Sequence, residues 1–202
     1  MSDQTPKSMI RQLLESGPTD PVLRQKLSLL EQLQAAHAKG DQKTMLEIGR
    51  KLSANEKAFE TAKEQRRAAI ANSVTAAKTV ADPDARTKAL LSSFAFCAKE
   101  TCAANASGQG TDLFNFGIKQ LCVVGDELSE LGHFAELAQF LDSNDIEVRG
   151  LAAVWLKDVM PGRVLPILKE INKTEKFGSP VGTQVFTAIF ELEQRKEGSG
   201  KN

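Results

Sequence analysis

The residues of this chain whose types and spacing bear on chemistry are first of all carboxylates. Between Asp112 and Glu147 stand Asp112, Asp126, Glu127, Glu130, Glu136, Asp142, Asp145 and Glu147 against the single cation Lys119, so the window is net −7. The rest of the chain must compensate, because its 26 basic and 26 acidic residues cancel overall. Grouped carboxylates on a folded surface steer and capture a basic partner, whereas single ones near helix N-termini stabilise the macrodipole. Asp112 and Asp145 fit the second role. Asp126, Glu127, Glu130, Glu136, Asp142 and Glu147 are therefore the candidate partner-binding residues.

Catalytic and metal chemistry find little support. His37 and His133 are the only histidines, too few for a histidine metal centre or a convincing triad. Cys97 and Cys102, five apart, could join Cys122 as three thiolates, but no fourth ligand stands nearby and buried cysteines usually serve as small core residues. Ser107-Gly108-Gln109-Gly110 lacks the flanking strand and the base partner of a nucleophile loop. Gly198-Ser199-Gly200-Lys201 follows a helix and does not bridge strand to helix, so it is no phosphate cradle. The sequence predicts no catalytic residue, no metal, no cofactor and no enzyme activity.

A composition of 41% hydrophobic and 26% charged residues is that of a globular chain, and 202 residues suffice to bury a core without staples. The balanced charge supplies no global positive field for nucleic acid or anionic lipid. Residues 1–20 lack the apolar segment and small-residue cleavage site of a secretory leader, and no run approaches the roughly 20 apolar residues that cross a bilayer. Three cysteines suit free thiols in a reducing compartment. A cytoplasmic protein without membrane or nucleic-acid partners is the expectation.

The elements that must position these groups are helices. Apolar residues recur at spacings of three and four, and alternating runs flanked by hairpin turns are missing, so the fold class is all-α. A short helix is predicted over residues 8–15. A second starts at Asp20 and Pro21 and runs to about Lys39, with Leu23, Leu27, Leu30 and Leu33 as its apolar stripe. Gly40 and Asp41 stop it and cap a third, which meets no proline before Pro83 and whose charged middle, residues 56–67, is expected to extend partly into solvent. This N-terminal helical hairpin with a long helix occupies residues 1–81. Asp82-Pro83-Asp84 marks a boundary where charge also changes, from net +4 over residues 1–80 to net −4 over 81–202. A further helix over residues 86–104 ends in a Gly/Ser/Asn-rich loop, residues 105–112, that could serve as a hinge. Residues 82–196 are read as the second domain, and 197–202 as a disordered tail.

From residue 134 to 194 the pattern becomes regular: an apolar helix, a tight Ser143-Asn144-Asp145 turn, then a second helix. Asp145, Val148, Arg149, Ala152, Ala153 and Leu156 match Asp-x-x-Val-Arg-x-x-Ala-Ala-x-x-Leu, and the segment resembles a HEAT repeat. Asp145 can cap the second helix, Val148, Leu151, Ala152, Trp155 and Leu156 share one face, and Asp145 and Arg149 are spaced to pair. Trp155 is expected in the core. A second unit, with Val185, Ala188, Ile189 and Leu192 in its inner helix, lacks the motif's Asp and Arg. The resemblance implies a short HEAT-like α-α repeat array, a scaffold suited to protein binding. Some small bacterial proteins similar to this pattern are thought to be immunity partners of toxins, which implies a non-enzymatic protein that inhibits a basic toxin domain through the acidic residues. The alternative is a structural adaptor or oligomerisation module in which the N-terminal hairpin pairs with another copy.

Overall fold

The computed structural model describes residues 21–106, 111–175 and 179–199. The predicted helix over residues 8–15, the center of the Gly/Ser/Asn loop and the last three residues lie outside them. Helix α1 (Pro21–Ala38) turns into α2 (Gln42–Lys78), followed by α3 (Pro83–Ala106) and α4 (Thr111–Glu130). A 3-10 helix (Phe134–Asp142), α5 (Ile146–Trp155), a 3-10 turn (Leu156–Asp158), α6 (Pro161–Thr174) and α7 (Pro180–Ser199) complete the chain. Among the described residues there is no β-strand, so the all-α class stands.

The turn between α1 and α2 follows from its residues. Gly40 adopts φ +68°, a left-handed conformation open to glycine, while the Gly40 and Asp41 amides donate to the carbonyls of His37 and Ala36. Asp41 then caps α2, accepting from the Thr44 amide at 3.0 Å and the Thr44 hydroxyl at 2.6 Å. Chain reversal within three residues lays α1 antiparallel along α2, where Lys26 meets Glu56 at 2.5 Å and Asn55 donates to Gln25 at 3.2 Å. The residues that α1 buries are Leu29 and Ala36, with Leu33 of the predicted stripe packed beside them; Leu27 and Leu30 are half-buried, and the side chain of Leu23 lies outside the described residues. Two leucine stripes overlap on this helix, and only docking against Ile48, Met45 and Leu52 selects between them.

At 37 residues α2 is about 55 Å long, enough to serve two regions. Its C-terminal part places Ile70, Val74 and Ala77 in a main core with α3 through α7, so α2 contributes to both hydrophobic clusters. The charged middle of α2 docks on the main body. Lys63 reaches Asp112 at 2.9 Å, Arg66 reaches Glu100 at 2.8 Å, and the Arg67 guanidinium lies 4.7 Å above the Phe116 ring.

At the center of the main core Phe94 stacks on Phe140 at 5.7 Å and meets Trp155 edge-on at 6.0 Å, with Phe134 beyond the indole at 6.5 Å. Gly125 makes room for this indole, since a Cβ there would fall 2.2 Å from a Trp155 ring carbon. Trp155 is thus a packing residue. The segment from Phe134 was predicted as an α-helix and is a 3-10 helix, whose three-residue turn aligns Phe134, Leu137 and Phe140 toward the core. Asp145 caps α5 by accepting from the Val148 amide at 3.3 Å, and Val148, Leu151, Ala152 and Leu156 are buried at their predicted spacing. The predicted Asp145–Arg149 pair does not form: Asp145 binds Lys99 of α3 at 2.7 Å and Arg149 approaches Glu170 of α6 at 3.6 Å. Val181, Val185, Ala188 and Leu192 are the buried face of α7, and that helix continues to Ser199 where a tail was expected from residue 197.

Candidate partner-binding surface

The acidic window runs from the start of α4 to the first turn of α5, and tertiary packing turns cations from outside it toward half of its eight carboxylates, Asp112, Glu127, Asp142 and Asp145. Asp112, at the first turn of α4, is bound by Lys63, and that hydrogen bond holds its carboxyl below the usual aspartate range. Glu127 points inward. Its side chain is 12% exposed, with Lys78 2.8 Å from Oε1 and Arg86 hydrogen-bonded to Oε2. The Lys78 bond, ahead of the Arg86 bond, pulls its pKa below the ordinary glutamate value against the opposing effect of burial. Glu127 is therefore a clamp between α2, α3 and α4, and its charge does not face solvent as the sequence suggested.

Glu147 lies half-buried at the first turn of α5 beside Asp145. Burial raises its pKa and the hydrogen bond with Asp145 raises it further, so it keeps its proton to higher pH and donates to Asp145. Burial acts the same way on Asp145, but the Lys99 ammonium, the Glu147 hydrogen bond and the Val148 amide outweigh it and hold Asp145 ionised. This group, with Lys99 and nearby Glu175, is a separate electrostatic cluster.

Asp142 is exposed at the end of the 3-10 helix, with Arg163 of α6 at 3.3 Å. Glu136 accepts from or shares a proton with His133 Nδ1 at 2.6 Å. Asp126 and Glu130 differ from all of these. They stand exposed one turn apart on the last two turns of α4, and among the described residues no cation lies within ion-pairing distance of either. Helical spacing puts their Cβ atoms about 6 Å apart. Of the six predicted contact residues, Asp126 and Glu130 stand exposed without an ion pair among the described residues, while Glu127, Glu136, Asp142 and Glu147 are drawn into intramolecular contacts.

The cysteines do not converge. Cys97 and Cys102 are buried in α3, where burial pushes their thiols up to about 11 and about 12. Cys122 is exposed on α4, and burial of part of its surface, with Asp126 nearby, also raises its pKa. Among the described residues no group of three or more His, Cys, Asp or Glu side chains is arranged to hold a metal ion, and no helix is long and apolar enough to cross a membrane.

The sequence reading passed over four exposed apolar residues, one of them Val159 after the 3-10 turn. Leu46 is 69% exposed on α2, and Phe186 and Phe190 are 48% and 57% exposed on α7. The phenylalanines fall outside the Val181, Val185, Ala188 and Leu192 spacing, which marks them as off the core face. Leu46 adjoins Met45 and gives no such signal. Compared with known proteins, the chain matches no family model, no curated sequence and no solved structure.

Proposed function

We propose that this chain is a non-enzymatic protein-binding module that captures a basic partner on the acidic edge formed by Asp126, Glu130 and Glu136, as an immunity protein would occlude a toxin. The observation that carries the reading is the contrast within one window: half of its carboxylates are matched by cations from other helices, whereas Asp126 and Glu130 are exposed without one among the described residues. Desolvated or long-range attraction to such unmatched charges accelerates association. The edge sits on a rigid support, because the opposite side of α4 packs Leu121, Val124 and Leu128 into the core. A HEAT-like stacking of α5, α6 and α7 behind it is part of this reading.

The test is capture of partners from the native cell, followed by kinetics with the parent chain and with Asp126→Lys, Glu130→Lys combined. Association should slow at least tenfold in the variant and lose most of its salt dependence. Unchanged association and salt dependence would sink the reading. Glu127→Lys is the control, expected to weaken folding before it affects binding.

A further inference from the structure

Helix α7 carries two apolar rows. Val181, Val185, Ala188 and Leu192 face the core, and Phe186, Ile189 and Phe190, at spacings of three and four, form a second row farther round the helix. Ile189 is half-buried, whereas Phe186 is 48% and Phe190 57% exposed. With Lys169 and Lys173 of α6 and with Glu193 of α7, this second row lines an open groove of about 390 Å³ between the two helices. Two phenylalanines one turn apart in a groove differ from the singly scattered apolar residues of an ordinary surface, and such a patch marks a place of contact.

The charges of the groove say what covers it. Lys169 and Glu193 bond at 2.6 Å across one end. Lys173 stands one turn of α6 beyond Lys169, about 6 Å toward the other end, and among the described residues no carboxylate lies within ion-pairing distance of it. The groove thus has a carboxylate at one end, an unmatched ammonium at the other and the phenylalanines between them. Such a face is complementary to itself. A twofold axis between Phe186 and Phe190 exchanges the two ends, so Lys173 of each copy comes to the partner's Glu193 while Phe186 meets the partner's Phe190. The 26 basic and 26 acidic residues of the chain cancel, so no net charge opposes the approach of a second copy. We infer that a second copy of this chain covers the groove, α7 lying antiparallel on α7, in a reversible homodimer. Two aromatic anchors per copy are fewer than an obligate dimer buries, so a dissociation constant of about 10–100 μM is expected. The acidic edge on α4 is not part of this contact.

Sedimentation equilibrium of the full chain, over concentrations that bracket this constant, should show a monomer–dimer equilibrium. A monomer throughout overturns the inference, and so does growth beyond the dimer, because a twofold contact closes on itself. Phe190→Ser should raise the dissociation constant at least tenfold and leave the melting temperature of the dilute chain unchanged, since the ring is exposed and lies off the core face. Dimerisation that survives this change would lie on another surface and equally overturns the inference. A charge exchange reads the arrangement independently of stability. Lys173→Glu should weaken the dimer about fivefold by facing the partner's Glu193, and adding Glu193→Lys should restore most of the affinity. Absence of both the loss and the rescue overturns the antiparallel pairing.

Discussion

The hairpin and the main body share one helix, and α2 behaves differently in each. Near its start, among the described residues, α1 is the neighbour that covers it, and the satellite core buries Leu29, Ala36 and Ile48. Near its end α3 and α4 both pack against it, and Ile70, Val74 and Ala77 join a core of seven helical elements. The residues at both ends follow the same helical spacing. What differs is the number of covering elements, so helical periodicity says which side turns inward and not how deeply it is buried. Electrostatics follow the same division. The Lys26–Glu56 bridge of the hairpin is largely exposed, whereas Glu127 in the body is held by two cations with little access to water.

That contrast predicts a ranking of effects. The largest is expected from Phe94→Ala, which empties the center of the aromatic cluster and should cost about 3–5 kcal/mol in denaturant unfolding of the whole body. Ile48→Ala should cost about 2–3 kcal/mol, confined to the hairpin. Hydrogen exchange would then accelerate over α1 and the start of α2 while α3 through α7 keep their protection, and equal acceleration everywhere would erase the distinction between the regions.

Glu127→Gln should cost about 1–2 kcal/mol near neutral pH, because Lys78 and Arg86 lose their common counter-charge. The pH dependence has a definite sign. The folded-state pKa of Glu127 is depressed, so its contribution is fully present above the ordinary glutamate range and is lost as pH falls through that range toward the folded value. Acid unfolding curves should therefore be shallower for Glu127→Gln than for the parent. The smallest effect belongs to Lys26→Ala, below about 1 kcal/mol and reduced further by salt, as expected for an exposed pair. A larger loss would mean that the hairpin depends on charge as much as the body does.

The fold was largely legible where local signals suffice. Gly40-Asp41, the break ahead of the helix that was expected from residue 86 and starts at Pro83, the Asp145 cap and the Val148, Leu151, Ala152 and Leu156 face all depend on neighbours within a few residues. Other features were not. The burial of Leu29 and Ala36 on α1 was missed because two apolar rows compete on one helix, and Asp145 and Arg149 pair with other helices because Lys99 and Glu170 come within reach only after folding. The candidate site was legible as a run of carboxylates, but which of them remain available was not.

By itself the sequence determined helices, their caps and the uneven placement of acidic residues, because these depend on near neighbours and on composition. Only the tertiary structure decided which charges survive at the surface. Lys78 and Arg86 lie 49 and 41 residues from Glu127 and Lys99 lies 46 from Asp145, so each neutralisation depends on helices meeting in space. Coulomb attraction of this strength acts over a few ångströms, and separation along the chain carries no information about it.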